Sequence, residues 1–172
     1  MNMKTNQLVK ASLFLAFGII IPYIFHTTGL AGPIFLPMHM PVLLCGFVLG
    51  ERYGAIVGFA TPLLNSVLTA MPPIYPIGLA MALELCTYGF VSGYMYKNKK
   101  NNVIISLVVA MVMGRIVSGI ANYVLFFIAG NKYMLPMFLT AAFVKPIWGI
   151  IIQLILIPII IKLIENMKGK NI

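Results

Sequence analysis

Of 172 residues, 61% are hydrophobic and only 9% charged, with 12 Lys and Arg against 3 Asp and Glu for a net charge of +9; mean hydropathy is +1.01 and the pI about 9.7. A soluble domain carries about 25% charge, so an ordinary soluble fold is excluded. About six spans of roughly 20 residues would use nearly the whole chain and leave no room for a soluble catalytic domain. The cations sit between apolar runs rather than on a polar face with interleaved aromatics, which argues against nucleic acid.

The first apolar run, Leu8–Phe25, follows Lys4 and Lys10 as a signal peptide would. It lacks a small-residue cleavage site before His26, and further runs follow, so a retained first span is expected. Its cytoplasmic end carries the small residues Ala11, Ser12, Ala16 and Gly18. Ser12 and Ala16 have the i,i+4 spacing that lets helix backbones approach, within the bundle or against another subunit.

The second run, Ile34–Gly50, is short, and Pro37 and Pro41 near its start predict a broken or re-entrant turn. Within Leu36-Pro37-Met38-His39-Met40-Pro41, His39 is a candidate ligand contact or proton sensor, the plain alternative being a satisfied helix-end residue. The third run, Tyr53–Ala70, places Asn65 and Ser66 in its outer part. The fourth, Ile77–Tyr96, contains Glu84, Thr87 and Tyr88 on one face. The fifth, Val103–Ala129, contains Arg115 with Ser118, Gly119 and Asn122. The sixth, Phe138–Ile164, contains Lys145, Trp148 and Gly149. Cys45 and Cys86 lie in apolar runs without CxxC or Cys/His spacing, so neither a metal site nor a disulfide is implied.

Charge then sets the orientation. Lys4, Lys10, Arg52, Lys97, Lys99, Lys100, Lys162, Lys168 and Lys170 fall on one side of alternating helices, and only Lys132 on the other. By the positive-inside rule both termini are cytoplasmic. The outer loops, His26–Pro33, Met71–Pro76 and Gly130–Pro136, are short and rich in Gly and Pro, as suits stiff turns over a cavity or plain connections. The two halves share no obvious repeat.

Glu84, Arg115 and Lys145 do not belong in lipid: each costs about 2.5–3.5 kcal/mol at a helix centre, so each should face the bundle interior. Their distances from the run ends put all three near mid-membrane at 1.5 Å per residue. Either they form a polar cavity between the fourth, fifth and sixth runs, or Glu84 bridges the two cations in a structural network. Two cations against one carboxylate would suit a ligand carboxylate or phosphate. Asn122, Tyr88 and Trp148 supply amide and aromatic surface to such a site, with Asn65 and His39 from the first half. The sequence has no P-loop, no HExxH, no G-x-S-x-G and no Asp, so any energy for transport comes from elsewhere and no cofactor is implied.

These residues resemble a known family, the substrate-binding S components of energy-coupling factor (ECF) vitamin transporters. The resemblance covers essentially the whole chain, from the small-residue first helix through Leu36-Pro-Met-His-Met-Pro-Val-Leu-Leu-Cys-Gly-Phe-Val-Leu-Gly50, Tyr53-Gly54 and Gly58 to Met81-Ala82-Leu83-Glu84-Leu85, Tyr88-Gly89 and Gly93. It implies an all-α membrane protein with a single bundle of about six transmembrane helices, one substrate-binding domain over residues 1–172, multi-pass in the cell membrane. It also implies capture of a vitamin or precursor from outside, and docking on a membrane coupling (T) subunit that carries two ATPase subunits, the whole protein toppling to carry substrate inward. Docking in that family uses first-helix small residues, often Ala-xxx-Ala; Ser12-xxx-Ala16, with Ala11, is the nearest match here. A net positive site favours a pantothenate-like carboxylate, with a pyridoxine-type or pyrimidine ring second. The alternative from another class is a self-sufficient proton-coupled carrier with Glu84 as its proton site.

Overall fold

An apolar chain in lipid must satisfy its backbone within each segment, and helices do so. The computed structural model describes residues 3–29, 32–130, 136 and 139–169, and these are helical with short connections. In chain order the helices are α1 (Met3–Thr27), α2 (Gly32–Phe35), α3 (His39–Leu49), α4 (Glu51–Thr69), α5 (Leu79–Gly93), α6 (Val103–Ile128) and α7 (Ile147–Gly169). Wider π-type turns at Ile74–Gly78 and Tyr94–Asn98 flank α5, and another at Thr140–Val144 precedes α7. Tyr75 within the first of these is extended, at φ −121° and ψ 136°. Lys132, Lys170, most of the third outer loop and Phe138 at the expected start of the sixth run lie outside the described residues.

Among the described residues, four continuous stretches are long and apolar enough to cross a bilayer: Thr5–Thr27, Ile74–Asn98, Val103–Ile128 and Thr140–Met167. The other two expected spans are the 19-residue α4 and the interrupted second run. That run breaks where its prolines predict. α2 ends at Phe35, Leu36 takes a left-handed backbone at φ 50°, and α3 starts at His39. Eleven residues of α3 rise only about 16 Å, half a bilayer core.

The glycine pattern of the second to fourth runs explains how α3, α4 and α5 pack. Gly50, at φ 96°, is the single residue between α3 and α4, a conformation that glycine adopts without penalty. A Cβ on Gly89 would strike the Gly54 carbonyl, and one on Gly58 the Leu85 carbonyl. Bare backbones therefore meet along α4 and α5, the close approach that small residues at four-residue spacing permit. Val42, Leu43 and Phe47 of α3, Leu85 and Tyr88 of α5, Leu107 of α6 and Ile157 of α7 complete the buried core. Cys45 is buried with them, and Cys86 is half-buried.

α1 lies on α3 and α4. Gly18 sits against Thr61, and the Asn65 amide donates to the Gly18 carbonyl at 3.0 Å. Leu8, Leu13, Phe17, Ile20 and Ile24 on its other side are exposed, an apolar surface for lipid or a membrane partner.

The helix ends sort into two groups. Gln7, Lys10, Val48, Leu49, Lys97 and Ile164 surround one groove, where Lys97 Nζ donates to the Val48 carbonyl at 2.5 Å. Close by in sequence, the Tyr96 hydroxyl donates to Glu165. The start of α1 and the end of α7 thus share the cationic end, which the charge bias assigns to the cytoplasm.

Candidate functional site

At the opposite end lies a cavity of about 550 Å³, within the range of small-molecule sites. The broken second run makes room for it: Leu36, Pro37, Met38 and His39 form one wall where a continuous helix would otherwise run. Pro22 and His26 of α1, Ala70–Pro73 after α4, Ile77, Met81 and Glu84, then Arg115, Ser118, Asn122 and Phe126 of α6 form the others, with Ala141 and Ala142. Leu36 and Ala70 both hold left-handed backbone at the cavity wall, φ 50° and 57°. Each costs roughly 1–2 kcal/mol, strain of a kind that gathers at ligand sites.

Most of this lining is apolar, and its charged groups, Glu84 and Arg115, meet beside His39 at one pole. Arg115 Nη1 donates to Glu84 Oε1 at 2.8 Å, and the Tyr88 hydroxyl donates to the same oxygen at 3.0 Å. His39 Nε2 stands 3.6 Å from that oxygen, too far for a hydrogen bond. Its ring packs against Tyr88 with centroids 5.4 Å apart. Tyr88 in turn lies against Gly114 of α6, where any side chain would displace the ring. Glu84, Arg115, His39 and Tyr88 are all buried. The ion pair meets the need of both charges for a partner in lipid. His39 Nδ1 and Nε2 and Arg115 Nη2 nevertheless have no partner among the described residues. Buried groups of this kind are normally satisfied, and leaving one unmet costs about 1–3 kcal/mol.

The structure brings together four of the residues singled out from the sequence, Glu84, Arg115, His39 and Asn122, along the cavity. Asn122 Nδ2 is spent on the Ser118 carbonyl at 2.8 Å. Tyr88 stands behind the pole and positions it without lining the cavity.

Three expected positions are corrected. Asn65 is buried outside the described lining: its Nδ2 donates to the carbonyls of Gly18 and Thr61, both at 3.0 Å, and ties α4 to α1, while its Oδ1 has no partner among the described residues. Lys145 and Trp148 are exposed and absent from the described lining. Lys145 stands just before regular α7, which begins at Ile147 after a π-type turn. Seventeen residues separate Lys145 from the cytoplasmic Lys162. They rise about 25 Å along the helix. The expected triad of charges is therefore a pair with a histidine.

Of the expected docking residues, Ser12 is exposed and Ala16 half-buried, whereas Ala11 is buried in the core and faces the bundle. Sequence reasoning did not single out Pro22, Met38, Met81 or Phe126 as lining residues. Pro22 and His26, at i,i+4 on α1, carried the one usable signal, a shared helix face.

No curated protein and no solved structure matches the chain. The family described as the substrate-specific component of ECF transporters matches residues 6–161. An all-helical membrane bundle whose apolar cavity ends in a buried polar pole is in keeping with a subunit that holds a solute, and the chain belongs to this family of substrate-specific ECF components.

Proposed function

We propose that this chain is a multi-pass subunit of the cell membrane that captures a small water-soluble vitamin or vitamin precursor from outside. It delivers the solute inward with a partner module, a membrane coupling subunit carrying two ATPase subunits. The reading treats residues 1–172 as one substrate-binding domain without an ATPase of its own. The observation that carries it is the pole of Glu84, Arg115 and His39 at a 550 Å³ cavity in a chain of this family.

The expectation of a pantothenate-like carboxylate rests on Lys145 standing beside Arg115. With Lys145 outside the described lining, that second cation is gone, and Glu84 already neutralises the first. A pyridoxine-type or pyrimidine ring becomes the leading substrate reading.

Mass spectrometry of the purified chain, with thermal-shift titration across a water-soluble vitamin panel, tests capture: one compound should co-purify or stabilise it. Co-expression with the coupling and ATPase subunits should yield a complex. Ser12→Leu should weaken that complex while sparing ligand binding. Uptake driven by a pH gradient into vesicles holding this chain alone would sink the proposal in favour of a self-sufficient carrier.

A further inference from the structure

The groove at the cationic end of the bundle, about 400 Å³ in volume, plays no part in solute capture. Gln7, Lys10, Leu13 and Phe14 enter it from one face of α1, at three- and four-residue spacing. Val48 and Leu49 end α3 against it, Lys97 comes from the π-type turn after α5, and Ile164 from α7. Among the described lining residues the two that carry charge, Lys10 and Lys97, are both cations, and both are exposed. The bond from Lys97 Nζ to the Val48 carbonyl holds that ammonium at the groove wall. Glu165, next to Ile164 in sequence, is engaged by the Tyr96 hydroxyl.

The groove is also graded in depth. With the start of α1 on the cytoplasmic side, Leu13 and Phe14 stand about 5 Å deeper in the membrane than Lys10. Cations at the headgroup level above an apolar floor match a phosphodiester anion that carries an acyl chain. A soluble anion would meet the lysines and leave the floor uncovered. An apolar protein segment would cover the floor and leave both ammonium groups without a counter-charge.

We propose that this groove holds an anionic glycerophospholipid of the cytoplasmic leaflet, its phosphate between Lys10 and Lys97 and the upper part of one acyl chain on Leu13 and Phe14. The lipid joins the start of α1 to α3, to the turn after α5 and to α7. Each lysine beside a charged membrane surface contributes about fivefold to the affinity for anionic lipid.

Native mass spectrometry of the detergent-purified chain, given equal amounts of dioleoyl phosphatidylglycerol and dioleoyl phosphatidylcholine, tests this, with melting temperatures showing that each variant is folded. The chain should retain the anionic lipid at least about fivefold over the zwitterionic one, and phosphatidylglycerol should raise the melting temperature by mass action. Lys10→Ala should cut the preference about fivefold. Leu13→Trp, which fills the floor without changing charge, should reduce retention. Lys99→Ala combined with Lys100→Ala removes two exposed cations outside the described lining and should leave retention unchanged. Equal retention of the two lipids, or a loss in that double variant as large as in Lys10→Ala, would overturn the inference. Displacement of the lipid by glycerol 3-phosphate would also overturn it and make a soluble phosphate ester the ligand. Undiminished retention by folded Leu13→Trp would overturn it too, and loss of the complex with the coupling subunit in the same variant would assign the groove to that partner. Solute capture at the outer cavity stands in each case.

Discussion

The α4–α5 interface and the outer cavity solve opposite problems with the same small helices. Along α4 and α5, Gly54, Gly58 and Gly89 bring backbone against backbone, and no atom can be added. At the cavity, space is left over, and three buried nitrogens on His39 and Arg115 lack partners among the described residues. Stability is concentrated where polar atoms are few and contact is complete. At the cavity contact is incomplete, which leaves room for a guest.

That contrast is broken most directly at Gly89. Gly89→Val should destabilise the fold by about 3 kcal/mol or more, since overpacking here meets backbone that cannot yield. Loss of the monodisperse peak in size-exclusion chromatography reads it. Next comes Arg115→Ala, which leaves Glu84 buried without its cation and should cost about 3–5 kcal/mol as well as ligand binding. The double variant Glu84→Leu with Arg115→Met should regain most of the stability in a thermal melt and still bind nothing, separating the structural from the recognition role of the pair.

Asn65→Ala should cost about 1–2 kcal/mol through the lost bond to Gly18 while leaving ligand affinity within about twofold. The smallest effect belongs to the outer edge. Trp148, the single tryptophan, is 61% exposed, so its fluorescence should be quenched strongly by brominated lipid and little by a bound ligand. Strong quenching by ligand would return Trp148 to the cavity.

Much of the bundle was legible because the bilayer imposes simple rules. Apolar length, charge bias and the proline-marked break at Leu36–Pro41 follow from local chemistry. Glu84 and Arg115 were found for the same reason: a charge in lipid needs a partner. Sequence does not show that Lys145 falls at an exposed position just before regular α7, outside the described lining. Asn65 looked like a ligand group because sequence does not show that the Gly18 carbonyl waits across the helix boundary. Apart from Pro22, which shares a helix face with His26, the apolar lining was illegible, since a methionine facing a cavity and one facing lipid have the same surroundings in sequence.

The shortness of α3 has a wider consequence. The recess is produced by withholding half a transmembrane segment, with the backbone turning aside at Leu36, rather than by trimming individual side chains. Its volume therefore owes much to where the backbone turns aside as well as to the wall side chains. A scaffold of this kind can change its cargo by exchanging a few residues around a fixed vacancy, while the glycine seam beneath holds the architecture constant.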